Sequence, residues 1–340
     1  MDLELSDDQR ALQEAVDALC AGRFERAAVR AMIGAGLDRK RWRELAETGV
    51  FGLWVAPEGG GVGLGFADAA VVFEQLGRHL VPGPLAATTA AAELVDGALD
   101  GRAVVGTVER GPGAPDGVTV AHLGELDALV VVDDEGLWRL DPASLEARRA
   151  EHPLDPLTPV WWVTELPTGE RVGDAADARL FRLRFRLLTA ALELGVAVGA
   201  TELAVAYARE RHQFGRPIGA FQAVKHRCAD MATRVEVLRA AVYAAGVALD
   251  DPETLDPDRA VGVAALMAAR TAAACGRDCV QVHGGMGYTW EVDAHLYLKR
   301  AWVLDTDLGD LDAVAEGFAA DLVASGAAGS PGHDDRRSTP

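Results

Sequence analysis

Helical periodicity over four long stretches, roughly 175–211, 220–249, 257–282 and 293–324, constrains this chain more than any other feature. Each stretch carries an apolar stripe that only another helix of similar length can cover, so the expectation is a four-helix bundle. Pro217, Gly219, Pro252 and Gly284-Gly285 punctuate the joints. Upstream, from Val104 to Arg171, the texture changes. Val118-Thr-Val, Ala128-Leu-Val-Val-Val132, Leu137-Trp-Arg-Leu140 and Pro159-Val-Trp-Trp-Val163 are short β-prone runs split by Gly, Pro and Asp. Earlier still, Ser6-Asp-Asp-Gln9 reads as a capping box that opens a helix carrying Leu12, Ala15, Val16 and Leu19. A second helix around 39–48 presents Trp42, Leu45 and Ala46. The chain is therefore expected to be mainly α with a small β domain. An N-terminal helical domain covers 1–103, a truncated β domain 104–173 and the C-terminal bundle 174–325; the Gly/Ser/Pro-rich tail 326–340 is expected to be disordered.

Charge narrows the function. A formal net charge of -19 repels polyphosphate backbones, so no nucleic-acid partner is expected. An anionic ligand would need local arginines, because Lys40, Lys225 and Lys299 are the only lysines. Cys20, Cys228, Cys275 and Cys279 have no extracellular disulfide spacing. Cys275 and Cys279, one helical turn apart, lack the companion ligands of a metal site. No signal peptide opens the chain and no apolar run reaches the ~18 residues of a membrane span, so a cytoplasmic location is expected. The glycine run Gly59-Gly-Gly-Val-Gly-Leu-Gly65 imitates a dinucleotide fingerprint. It follows a helix instead of a strand, so we read it as a structural loop.

Two further motifs carry chemistry. Arg211-His-Gln-Phe-Gly-Arg-Pro-Ile218, followed by Phe221-Gln222, sits at one helix joint, and Gln281-Val-His-Gly-Gly-Met-Gly-Tyr288 at another. Arg211 offers a planar, permanently charged fork for phosphate oxygens, Gln213 an amide donor and Phe214 an apolar face. Gly284 and Gly285 permit close backbone approach. The same residues could also simply cap carbonyls and turn the chain.

Together these motifs resemble the two C-terminal signatures of the acyl-CoA dehydrogenase family, flavoenzymes that desaturate acyl-CoA thioesters. Pro57-Glu58, Glu74-Gln-Leu-Gly77 and Pro82-Gly-Pro84 are similar to that family's N-terminal helical domain. The resemblance implies FAD as cofactor, held at its adenosine end across a subunit interface by Arg211, Phe214, Gln281 and Gly285, with weaker roles for Gln213 and Gly284. It also implies an acyl-CoA substrate, a tetramer of bundles, and an electron-transfer flavoprotein or similar acceptor.

The family's catalytic carboxylate does not carry over. Counting forward from Tyr288 as the family spaces its Glu, the position falls on Leu308, ahead of Gly309; at the family's second location, counted back from Gly215, stands Phe185. No catalytic residue is assigned. Asp307 would serve only if the helix shifted by one residue, a rotation of ~100°, and Asp305, Asp307 and Asp310 read as solvated helix-end acids. Glu193 and Glu202 are mid-helix and match neither location. Of the family's flavin-ring loop only fragments remain in the stretch 106–116. Arg179, Arg182 and Arg186 could offset CoA phosphates, but an ion-paired face fits so acidic a chain better. The chain thus resembles the shorter, degenerate subunits of actinobacterial heterotetrameric dehydrogenases acting on steroid side-chain CoA thioesters, with a paralogous subunit as partner. The alternatives are a self-sufficient enzyme using Asp307 and a non-enzymatic helical scaffold.

Overall fold

The structure, a computed structural model, describes residues 4–111 and 117–328, with side chains to 323. Helices α1 (Asp7–Arg23), α2 (Arg26–Ala31), α3 (Arg39–Ala46), α4 (Phe66–Arg78) and α5 (Leu85–Ala90) form the N-terminal part. The capping box forms as the sequence suggests: Ser6 Oγ accepts from the Gln9 N–H at 3.1 Å, and Gln9 Oε1 accepts from the Ser6 N–H at 3.1 Å. Trp42 and Phe51 bury their rings against each other, centroids 4.5 Å apart.

Seven strands follow: β1 (Val105–Glu109), β2 (Val118–Ala121), β3 (Ala128–Val132), β4 (Leu137–Leu140), β5 (Ala147–Arg149), β6 (Val160–Val163) and β7 (Glu170–Gly173). They make two small sheets, ordered β1-β3-β4-β7 and β2-β6-β5. Only β1 and β3 pair in parallel, and β3 is buried along its whole length, which explains its unbroken apolar run.

The bundle consists of α6 (Ala175–Glu210), α7 (Gln222–Asp250), α8 (Pro257–His283) and α9 (Ala294–Asp305). Between α6 and α7 lies a minute hairpin, β8 (His212–Gln213) with β9 (Arg216–Pro217). The expected fourth helix, 293–324, is interrupted. A 3-10 turn at Thr306–Leu308 ends at Gly309, whose φ of +80° suits glycine, and a separate helix α10 (Leu311–Ala328) follows. Helix α10 belongs to a second compact unit, Asp310–Pro340. It carries the backbone to Ala328, past the expected start of the tail; residues 329–340 lie outside the described ones.

Helix α6 is the axle of the main unit. It crosses α4 at glycine on glycine: a Cβ on Gly77 would lie 2.0 Å from the Leu192 carbonyl, and one on Gly195 2.0 Å from the Glu74 carbonyl. Nearby, the buried Glu74 accepts from Arg239 Nη2 at 2.9 Å and from the Tyr243 hydroxyl at 2.6 Å, tying α4 to α7. Asp250 accepts from the first N–H groups of α4, Phe66 at 2.7 Å and Ala67 at 3.0 Å. In length and composition α6 could cross a membrane, contrary to the expectation that no stretch would, yet 83% of its apolar window is buried in the bundle. Its apolar surface is that of a core helix.

Candidate functional site

The two C-terminal motifs meet at one end of the bundle. Tyr207, near the end of α6, stacks on His283, the last residue of α8, with ring centroids 4.2 Å apart. From this joint the α6–α7 hairpin projects. Phe214 and Gly215 both have positive φ, 53° and 77°, as two-residue hairpin loops of the primed type require. Glycine meets that requirement without strain; a bulky aromatic does not. Phe214 nonetheless points outward at 91% exposure, its ring edge-on to Phe221 at 6.1 Å, while Arg216 covers Phe221 at 4.2 Å. Arg211 caps α6 through its backbone, with its N–H on the Tyr207 carbonyl and its own carbonyl accepting from Ile218, while its side chain is exposed and unpaired among the described residues.

On the neighbouring helix end, Gln281 is exposed and Gly284 has φ +60° with ψ -138°, a glycine conformation. A Cβ on Gly284 or Gly285 would meet nothing within 4 Å. Nothing inside this chain demands a small residue at Gly285, and the space beside it is open. Arg211, Gln213, Phe214, Gln281, Gly284 and Gly285 thus share one exposed face. Their donor set (a fixed cation, two amides, an aromatic face and bare backbone) fits the pyrophosphate and adenine of FAD.

The glycine run behaves differently. From Gly59 to Gly65 every backbone N–H is already bonded within the loop, for example Gly61 to Ala56 O, Gly63 to Val55 O and Gly65 to Asp68 Oδ2. No donors remain there to cradle a phosphate.

A second feature is the cleft between the β strands and α6, a cavity of about 420 Å³ lined by Thr107, Glu109, Thr119, Phe181, Phe185 and Asp307. Ion pairs cross it. Arg182 reaches Glu109 at 2.7 Å and Asp134 at 3.3 Å, and Arg186 approaches Glu109 at 3.9 Å. Arg179 pairs with Asp258. The α6 arginines are therefore ion-paired and not free to receive phosphates. Phe185 lines this cleft where a carboxylate would stand, and Leu308 is fully buried. Part of the expected flavin-ring loop, 112–116, lies outside the described residues.

Asp307 is exposed, as a solvated helix-end acid would be, and it also borders the cleft. The 3-10 turn ahead of Gly309 brings it to the cleft, where it also lines a smaller inner cavity with Phe185, Leu192 and Arg300. Its side chain touches solvent there. The protein mass around it pushes its carboxyl up to about 7, a shift that this contact with water limits. Near it, Glu193 is fully buried, both carboxylate oxygens lack partners among the described residues, and burial with the nearby charges of Asp305 and Asp307 raises it well above the usual carboxylate range. Sequence periodicity placed Glu193 mid-helix but could not show that all of α6 around it is enclosed. Glu202, by contrast, is half exposed and paired with Arg78 at 2.9 Å.

With the fold and both regions in view, the class is defined. The family model for the acyl-CoA dehydrogenase N-terminal domain matches residues 6–98 and that for the C-terminal domain 183–310. The chain belongs to the acyl-CoA dehydrogenase family, FAD-dependent oxidoreductases. Among particular relatives, it is 34% identical over 313 residues to acyl-CoA dehydrogenase IpdE2 of Mycolicibacterium smegmatis, covering 87% of this chain and 93% of that one. It is 36% identical over 341 residues to acyl-CoA dehydrogenase FadE34 of Mycobacterium tuberculosis, covering 90% of this chain but only 46% of that protein. Among solved structures, the Tcur3481-Tcur3483 steroid ACAD G363A variant superposes with TM-score 0.79 at 27% identity, over 95% of this chain and 99% of that one. The ChsE4-ChsE5 complex of M. tuberculosis shares the fold at 24% identity and TM-score 0.80, over 97% and 100% of the two chains. Membership of an oxidoreductase family argues against the scaffold reading.

Proposed function

We propose that this chain is a subunit that completes the FAD site of a paralogous acyl-CoA dehydrogenase chain, in an enzyme that desaturates an acyl-CoA thioester between its α and β carbons. The observation that carries this reading is the contrast within one chain. The bundle end that matches the adenosine-binding signatures is open and unpaired, whereas the chain's own cleft holds Phe185 in place of a carboxylate and is crossed by Arg182 and Glu109.

In the complex, Arg211 would neutralise pyrophosphate charge, Gln213 and Gln281 would donate hydrogen bonds, and Phe214 would cover the adenine face. Gly284 and Gly285 would let backbone approach the cofactor. Bound FAD supplies an acceptor for the hydride that leaves the β carbon. The α-proton goes to a carboxylate of the paralogous subunit. An electron-transfer flavoprotein or similar acceptor then reoxidises the complex. The names of the IpdE2 and steroid ACAD relatives favour a steroid-derived acyl group, by analogy.

One observation favours a second reading. Asp307 is exposed on the cleft, and the protein around it raises its carboxyl from the ordinary range toward one in which a general base works. Under it the chain would be self-sufficient. Expression alone and with the paralogous chain separates the two: flavin absorbance only in the co-purified complex supports the half-site, and a yellow, active chain on its own supports the Asp307 enzyme.

A further inference from the structure

A cavity of about 690 Å³ is lined by other residues than the cleft. It is walled by the α2–α3 loop, the β-domain segment around 149–159, and Trp290 with Lys299. Its floor is apolar, with Met32, Ile33, Leu37 and the buried Leu157. Pro82, Pro153, Pro156 and Pro159 stiffen the rim, so the shape is preformed.

Two polar features face it. At the mouth stand Arg149, His152 and Lys299 against a single exposed acid, Glu151. Arg149 lies over Trp161 at 5.4 Å and Lys299 over Trp290 at 5.1 Å, and neither has an ion-pair partner among the described residues. Glu125 and Glu151 balance their charge overall, so what the two cations offer is direct hydrogen-bonded pairing to an anion at the mouth and not a long-range field. Within the cavity wall, His122 and Glu125 form a dyad, Nδ1 to Oε2 at 2.7 Å. Burial favours the neutral Glu125 carboxyl, but hydrogen bonds from His122 and from the Leu37 N–H, with the Arg149 charge, outweigh it and hold the group below its ordinary range. The His122 Nδ1 that faces the Glu125 carboxylate donates to it, which leaves Nε2 as the ring atom able to meet a polar group of a ligand. His122 is 4% exposed and sits at φ +59°, a conformation that a non-glycine residue keeps only where its surroundings enforce it.

We propose that this cavity binds a small amphipathic organic acid with a flat apolar body. Its carboxylate lies between Arg149 and Lys299, its body between the apolar floor and Trp290, and a hydroxyl on that body shares a hydrogen bond with His122 Nε2. The two cations and the apolar floor lie outside the bundle end and the cleft, and of the site's residues only His122 also borders the inner cavity beside Asp307, so the Arg149 and Lys299 variants test the site independently of the FAD reading.

Calorimetric titration of the full chain with para-hydroxyphenylpropanoate, phenylpropanoate and para-hydroxyphenylpropanamide tests it. The hydroxy acid should bind saturably, the amide about tenfold more weakly, and the acid lacking the hydroxyl several-fold more weakly. Arg149→Met and Lys299→Met, both at accessible positions that tolerate change, should each weaken the acid about tenfold and leave the amide unmoved. His122→Asn, which tolerates positive φ, should erase the preference for the hydroxyl. If that variant does not fold, the Arg149 and Lys299 pair still decides. Absence of saturable binding up to about 10 mM, or affinity indifferent to both cation variants, overturns the proposal.

Discussion

The bundle end and the central cleft are built from the two ends of the same helix, α6, and they differ in how far each satisfies itself. At the C-terminal end, the Arg211 side chain has no partner among the described residues, Phe214 stands in solvent in a strained turn, and a Cβ on Gly285 would meet none of them within 4 Å. At the N-terminal end, Arg182 and Arg186 are already bound to Glu109, and Phe185 stacks on Phe181 at 6.2 Å. An exposed aromatic held at positive φ is costly unless something else benefits from it. A crossing ion pair costs nothing further to keep. One end is therefore shaped for a partner, and the other is complete without a ligand.

The largest expected effect breaks the open end. Arg211→Ala in the assembled complex should lower flavin affinity by over a hundredfold, since a cation withdrawn from a buried phosphate leaves about 3–5 kcal/mol uncompensated. The folded chain should be unaffected, because the Arg211 side chain is exposed and bonds to none of the described residues. Full flavin content in the variant complex, measured by absorbance after gel filtration, removes the bundle end from the FAD site.

Next in size is a stability gain beside the closed end. Glu193 has two unpartnered oxygens in a sealed interior, so Glu193→Met should stabilise the chain by about 1–3 kcal/mol. The pH profile carries the sign. A carboxyl raised in the native state holds its proton after the unfolded chain has released it, so its contribution is full below the ordinary carboxylate range and fades as pH rises from there. Chemical denaturation of the wild type should show that fall, and the variant a flatter profile. A variant destabilised at neutral pH would mean Glu193 has a partner in the assembled enzyme.

Much of this contrast was legible in the sequence, for local reasons. Four apolar stripes announce α6 to α9, and Ser6 with Gln9 announces the first helix, because helical spacing and capping are properties of neighbours in the chain. Arg211 to Ile218 and Gln281 to Tyr288 could be recognised for the same reason. What the sequence hid depends on distant residues. That Arg182 is taken by Glu109 follows from how α6 meets β1, and that Glu193 is sealed follows from helices packing on every side of α6. The place of Asp307 on the cleft was hidden because the fourth helix was expected to run through Gly309, whose positive φ stops it. The glycine offered a breaking signal, but one glycine in a helical pattern does not fix where a turn begins.

Removing the ion pair that crosses the cleft should have a small effect. Arg182 is partly exposed, with partners more exposed still, so Arg182→Gln should cost about 1 kcal/mol or less. Flavin content of the complex should stay constant. A gain or loss of flavin would show that this cleft, and not only the partner's, takes part in holding it.

The smallest expected effect is the most decisive for the chemistry. Removing a positioned general base costs about 10²–10⁴ in rate. If the base belongs to the paralogous subunit, Asp307→Asn should leave turnover of the complex within about twofold, and removing the partner's carboxylate should abolish it. Asn keeps the shape of the side chain, so a large loss would report on the proton and not on packing. The variant has a second readout that does not depend on catalysis. Native Asp307 keeps its proton toward a pH of about 7, against 3.8 ordinarily, so stability should decline over that interval in the wild type and slightly less in the variant. The difference should be modest, since the side chain touches water. A hundredfold drop in turnover with flavin retained and single-turnover flavin bleaching slowed to match would make Asp307 the base. It would also make the cleft a working site, and the contrast between the two ends of α6 would no longer hold.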